Sequence, residues 1–472
     1  MRTIGHGGPK AQVRSEWPAQ SVGLEALSRF ISPATIQSVL IQVGRQSRRV
    51  RRLPAAAMVW LVIGIGIWSD LDIPAIWRQV VGTLRSLWLV MALCRPPNKS
   101  ALAAARSRLG PRPLRQLFVQ TAKPIATDRT RGAFYKGMRL MAIDGITFDV
   151  PDTPANAAAF GRPTTKRYGE SVDGGYPQIH AIFLTETGTH VVYEALIKQG
   201  KSGEFPMTDY LLRKVPPGCL VLWDRGFYGY HSLKKATQRG VHVLGRVASH
   251  VVFKAICPLA DGSYLATIYP SLRDRRHDAN GLIVRVIEYT LDDPNRPGHG
   301  ERHRLVTTLL DANLYPAHEL VTLYHERWEI EIGNDELKTH QIDRLVHLRS
   351  RTPCGVLQEL YGILLAYNGV RCSMHEAALS VNIDPRKLSF IHAVRVIRET
   401  VPILRAAPAA QLPYLHAAMI QHITTGRLPP RDNRINPRVV KRKMSKFPKK
   451  RPEHSHPPRP QRTFSESVVI LN

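Results

Sequence analysis

Residues 219–224 read Cys219-Leu-Val-Leu-Trp-Asp224. An unbroken apolar run of this length, closed by an acid, predicts a fully buried strand. Upstream, Leu140-Met-Ala-Ile-Asp144 repeats the pattern. A carboxylate at the C-terminal end of a central strand projects into the crevice where α/β sheets bind ligands. Two such acids from different strands can share divalent metal, because Mg²⁺ takes oxygen ligands, commonly one or two carboxylates with water and phosphate oxygens.

The neighbouring sequence supports an α/β core. Residues 179–184 and 191–197 are apolar runs around Thr185-Glu-Thr-Gly-Thr, a hairpin-like turn. Helices are predicted over 209–215 and 232–239, and a strand over 241–247. Residues 249–310 hold β-rich pieces at 251–256, 264–269, 282–291 and 304–310 between polar loops, and read as an inserted β subdomain. Upstream, residues 33–122 read as helices broken at Gly110-Pro111. Downstream, helices are expected at 356–377 and 385–399. Residues 1–30 are polar and Gly-containing, which predicts a flexible N-terminus.

A third acid is expected from a long charged helix over 317–338. At about 100° per residue, Tyr324, Arg327, Glu331 and Lys338 fall within an arc of about 60°. One face thus offers an aromatic ring, a guanidinium, a carboxylate and an ammonium. Taken singly, the same residues have plainer readings: Arg327 and Glu331 form an i,i+4 ion pair, Lys338 complements a helix C-terminus, and Tyr324 packs in a core. Asp335 falls near the same face, so Glu331 is one of two geometric candidates. Asp144 before Gly145 reads equally as a turn residue, and Asp224 as a partner of Arg225.

Charge points to the partner. The 472 residues carry 66 Lys and Arg against 37 Asp and Glu, a net +29 with a pI near 10.3. With 43% hydrophobic and 22% charged residues, the composition is globular and excludes wholesale disorder. So large a positive excess predicts a polyanionic partner, nucleic acid before membrane. The segment 427–462 alone has thirteen basic residues against Asp432 and Glu453, and many prolines; it reads as a solvated basic tail. The stretch 53–68 is sixteen residues without a charge, but a span needs about 20 apolar residues, and Pro54, Gly64 and Gly66 interrupt it. It reads as a buried helix. Cys94, Cys219, Cys257, Cys354 and Cys372 form no CxxC clip, which predicts reduced thiols, a cytoplasmic setting and no zinc finger.

These residues also resemble a known family. Tyr324-His-Glu-Arg327-Trp-Glu-Ile-Glu331 followed by Lys338 is similar to the Y-x2-R-x3-E-x6-K signature of bacterial insertion-sequence transposases in the DDE superfamily. The block from Asp144 to Phe160 resembles the first-acid block, and Asp224-Arg-Gly-Phe-Tyr-Gly the second. Arg106-Ser-Arg-Leu-Gly110, Leu348-Arg-Ser-Arg-Thr-Pro353 and Ile383-Asp-Pro-Arg-Lys-Leu-Ser-Phe390 extend the likeness to both flanks. The resemblance implies an α/β fold with a ribonuclease-H-like catalytic core, a β-rich insertion, and helical N-terminal and C-terminal regions. Its implied division is a helical region at 31–130 binding terminal repeats, a catalytic region at 135–400, a helical extension at 401–426 and a basic, Pro-rich tail at 427–472. It implies that Asp144, Asp224 and Glu331 hold two Mg²⁺ or Mn²⁺ ions, and that Tyr324, Arg327 and Lys338 contact DNA. It implies a Mg-dependent enzyme that cuts and joins double-stranded DNA at terminal inverted repeats, acting as a homodimer near the nucleoid without a membrane. Two other readings keep the same residues: a catalytically silent DNA-binding protein, and a metal-dependent nuclease without strand transfer. Some relatives stack a flipped base on a tryptophan of the insertion; none occurs at 249–310 here, and Trp223 and Trp328 are expected in the core.

Overall fold

A computed structural model describes residues 27, 30–47, 53–83, 97–167, 170–198, 205–296, 298–341, 348–429 and 460–471. Cys94 and most of the N-terminal and basic segments lie outside these residues. Thirteen strands follow in chain order: β1 (Phe134–Tyr135), β2 (Met138–Asp149), β3 (Thr164–Arg167), β4 (Glu170–Asp173), β5 (Gln178–Glu186), β6 (Val192–Lys198), β7 (Cys219–Trp223), β8 (His242–Arg246), β9 (Ala255–Pro258), β10 (Tyr264–Ile268), β11 (Leu282–Leu291), β12 (His303–Thr307) and β13 (Val468–Ile470).

The central sheet runs β6-β5-β2-β7-β8-β12-β11-β10-β9. Strands β6, β5 and β2 pair antiparallel, whereas β2-β7 and β7-β8 pair parallel. This is the ribonuclease-H-like order. All five residues of β7 are buried, as a strand covered on both faces requires. At its end Trp223 lies opposite Gly245 of β8. A Cβ at 245 would stand 2.1 Å from the indole, so the glycine makes room for the ring.

The β-rich insertion is built onto the catalytic sheet. Strand β12 pairs antiparallel with β8, and β11, β10 and β9 continue outward, so it lengthens the catalytic sheet. Residues 430–459 lie outside the described set, and 460–471 dock on the sheet. Strand β13 pairs with β11, and Asp293 accepts the backbone N–H groups of Gln461 and Arg462 at 3.1 and 3.3 Å.

The helices around the sheet form one body. Helices α1 (Pro33–Gln42), α2 (Ala55–Ile67), α3 (Ile73–Thr83), α4 (Lys99–Leu109) and α5 (Arg112–Thr121) precede the sheet. Short helices α6 (Pro154–Phe160), α7 (Phe205–Leu212), α8 (Tyr230–Gln238) and α9 (Leu272–Arg276) lie between its strands. After it come α10 (Ala317–His325), α11 (Trp328–Asp335), α12 (Pro353–Ser380), α13 (Phe390–Ala406) and α14 (Leu412–Ile423). The uncharged stretch forms α2, thirteen residues long and buried from Ala57 onward. It crosses α12 so closely that a Cβ at Gly362 would stand 2.4 Å from the Val62 carbonyl oxygen. Residues of α1–α5 and α12–α14 share one hydrophobic core with Ile146, Phe148 and Phe183 of the sheet. Among the described residues no helix is long and apolar enough to cross a membrane, and the four described cysteines are free.

The single helix expected over 317–338 is broken in three. Glu326 and Arg327 join α10 to α11 by tighter turns, with N–H groups reaching back three residues, and a wide π turn occupies Glu336–Gln341.

Candidate active site

Parallel pairing between β2 and β7 ends at Ile143 and Trp223. Asp144 and Asp224 are the residues that follow this last pair, so the ladder delivers both acids to one edge, near enough for Asp224 to act electrostatically on Asp144. Asp144 is not at the end of its strand, because β2 continues to Asp149 against β5. What ends there is the parallel ladder, and Asp224 turns away into a short 3-10 segment over Arg225–Phe227.

The helical stretch is fastened to both strands. The Tyr324 hydroxyl donates to the Trp223 carbonyl oxygen at 3.2 Å, one residue before Asp224. Asn334 Nδ2 donates to Asp144 Oδ2 at 2.8 Å. Sequence reading did not single out Asn334, yet it lies three residues beyond Glu331 on the same helical surface, and that spacing is its signal. Between these fastenings, Arg327 Nη2 donates to Glu331 Oε1 at 2.9 Å. The plain i,i+4 reading of this pair therefore holds as well. The guanidinium lies 5.9 Å from the rings of both Tyr324 and Trp328. Arg327 is buried, and its Nε has no hydrogen-bond partner. Lys338, in the π turn, places its ammonium 5.7 Å from the Phe148 ring of β2.

Tyr324 is only 8% exposed and its hydroxyl donates to backbone, so it braces α10 against β7. One expectation needs correcting. Trp328 is 46% exposed and leaves the core, because the break before α11 turns it outward, whereas Trp223 is core as expected.

Electrostatics tie the acids together. Burial pushes the Asp144 carboxyl up to about 6; Arg327 and the Gly145 N–H pull it down, while Glu331 and Asp224 raise it further. The buried Arg327 guanidinium is held charged above its ordinary value despite desolvation, by Tyr324, Glu331 and Asp224. The donor set is all carboxylate oxygen, as hard divalent ions prefer. Asp144 and Asp224 fit a shared cation, since charge added between them would relieve a crowded, partly desolvated acid. Glu331 is closed onto Arg327, and among the described residues no three acid, histidine or cysteine side chains stand close enough to hold one ion.

The comparisons accord with this geometry. A family model for an insertion element 4 transposase N-terminal region matches residues 21–119, and one for a transposase DDE domain matches 135–368. Transposase InsG for insertion sequence element IS4 of Escherichia coli (strain K12) is 30% identical over 455 residues, covering 94% of this chain and 98% of that protein. The chain belongs to the IS4 family of DDE transposases. A cryo-EM structure of the piggyBac transposase synaptic complex with hairpin DNA covers 85% of both chains at 13% identity and a TM-score of 0.42. The protein is thus a DNA transposase and a polynucleotidyl transferase, of a family that uses divalent metal ions. Within the transposase the DDE match begins at β1, and the N-terminal match ends inside α5.

Proposed function

We propose that Asp144, Asp224 and Glu331 are the catalytic acids of this transposase and hold two Mg²⁺ or Mn²⁺ ions. The observation that carries the reading is the double fastening of the Glu331-bearing helix, through Tyr324 to the strand of Asp224 and through Asn334 to Asp144 itself. Bound divalent cations would stabilise charge on the attacking and leaving oxygens of the phosphodiester. Glu331 would exchange its Arg327 partner for a cation, freeing the guanidinium for a DNA phosphate, which its planar donors suit. Lys338 contacts a second phosphate as a point charge. Asn334 orients Asp144, and Tyr324 holds α10 where Arg327 can reach the site.

The reaction we assign is hydrolysis at the ends of the element, followed by attack of the freed 3′ hydroxyl on target DNA. The helices over 31–130 bind terminal repeats, and two copies act together in the synaptic complex. The protein works in the cytoplasm, at the nucleoid.

The test is a cleavage assay on duplex DNA carrying the inverted repeats that flank the gene, with Mg²⁺ or Mn²⁺. Asp144→Asn, Asp224→Asn and Glu331→Gln are each expected to lower the cleavage rate by at least three orders of magnitude while shifting the same DNA in gels about as well as the unaltered protein. Full activity in any one of them removes that residue from the site. Joining of the 3′ ends to a target plasmid separates transposition from simple nuclease action.

A further inference from the structure

The stretch that carries Arg327 and Glu331 has a second face. On α11, at about 100° per residue from Glu331, Glu329 falls near 160° and Gly333 near 200°, opposite Glu331. Glu326, just before α11, and Glu336, just after it, join Glu329 in meeting partners from other parts of the fold. Glu326 accepts from Arg386 Nη1 at 3.0 Å, and Asp384 grips the same guanidinium at 2.7 Å. Glu329 Oε2 lies 3.1 Å from His190 Nε2. Glu336 accepts from Arg371 Nη2 at 2.5 Å and from the Tyr367 hydroxyl at 3.0 Å.

His190 joins the last two contacts. Arg371 Nη2 also contacts His190 Nδ1, and a guanidinium can only donate. Nδ1 therefore accepts, and Nε2 is left to donate to Glu329. His190 lies between β5 and β6 with φ of 61°, a conformation non-glycine residues rarely adopt. It is held there by surroundings that over-determine it. Gly333 sits between these contacts: a Cβ there would be 3.2 Å from the Tyr367 oxygen and 3.7 Å from His190 Nδ1. His190, Glu336, Tyr367 and Arg371 are all buried.

A buried ion pair adds little net stability over an apolar replacement, but separating its partners is strongly penalised. Its effect is on register. Glu331 needs such help, because its own side chain is 37% exposed and its ion pair is with a neighbour one turn away on the same helical stretch. We propose that the acidic back face is a positioning rail, in which the Glu329–His190 contact, set between Glu326–Arg386 and Glu336–Arg371, fixes where Glu331 stands relative to Asp144 and Asp224. This rests on the assignment of those three acids above.

Glu329 is the residue to alter, since it lies at the edge of the buried network. In the full chain, Glu329→Gln keeps an oxygen that accepts from His190, and Glu329→Ala does not. Glu329→Ala is expected to slow cleavage of the flanking-repeat duplex roughly 10–100-fold, the usual cost of losing a contact behind a metal ligand. Its DNA affinity should match the unaltered protein, its metal-free thermal midpoint should fall by at most a few degrees, no more than the loss of one hydrogen bond to a buried group, and more Mn²⁺ should be needed for half of the cation-induced rise in that midpoint. Glu329→Gln should recover most of the rate and the Mn²⁺ response. Unaltered cleavage in Glu329→Ala, or Glu329→Gln as slow as Glu329→Ala, overturns the rail. Should Glu329→Ala fail to fold, Tyr367→Phe removes only the hydroxyl that holds Glu336, and a full cleavage rate in it overturns the proposal equally. Glu331→Gln run alongside separates the two claims. If it cleaves normally the assignment of the acids has failed, whereas if it is inactive and Glu329→Ala is not, only the rail has failed.

Discussion

Asp144 is held at a cost. Its carboxyl titrates near 6 in the fold, against about 3.9 in an unfolded chain. Between those values the unfolded state releases its proton first, so the group's contribution to stability falls as pH rises through that window. At neutral pH the penalty is about 3 kcal/mol, and below about pH 4 it nearly vanishes. Asp144→Asn should therefore raise the thermal midpoint at pH 7.5 in metal-free buffer and leave it nearly unchanged at pH 4. A variant less stable at both values would mean that the Asn334 contact outweighs desolvation. The acids proposed here stood out singly, two as ends of apolar runs and one within a helical arc, although β2 continues past Asp144. Asn334 did not, because an amide carries no charge signal and its role exists only once α11 lies over β2.

At the scale of elements, β7 was the most legible. Its limits match the apolar run, since Gly218 and Asp224 bracket five residues that only a buried strand accommodates. Gly245 then becomes decisive. Gly245→Ala drives a methyl into the fixed Trp223 ring, an overpacking that costs about 1–3 kcal/mol. It should also slow cleavage, because the Trp223 carbonyl that receives Tyr324 moves with the ring. A variant with lowered thermal midpoint but unaltered cleavage would show that the brace is dispensable. The break at Glu326 and Arg327 could not be read from the chain. Residues 324–331 contain no proline or glycine, and the tightening coincides with two distant contacts, Tyr324 on Trp223 and Glu326 on Arg386. The insertion's union with the sheet was hidden for a related reason: β8 and β12 pair across more than fifty intervening residues, which local periodicity does not report.

Across the whole molecule, the ordered C-terminal segment reaches the site from behind. Phe464 stacks on His325 at 3.8 Å and 7°, next to Tyr324, and Ser465 receives the Thr322 hydroxyl. Composition concealed this, because residues 460–471 follow a long Pro- and Lys-rich stretch. Phe464→Ala should lower the thermal midpoint by the equivalent of about 1–2 kcal/mol, less than the loss of a fully buried ring, and Val469→Pro should do at least as much by removing the ladder donor opposite Thr290. Unchanged melting in both would reduce the segment to a passive appendage. The apolar core shared by α1–α5 and α12–α14 bears on how this transposase can be handled. The DDE match ends at residue 368, halfway along α12, and starts after every helix that covers that helix's other flank. A fragment cut to those limits would bare the groove where Val62 meets Gly362 and should precipitate or be recovered only in detergent. Adding residues 21–119 as a separate polypeptide should rescue it only when the fragment is also extended through α14, as two halves of a clasp close on each other.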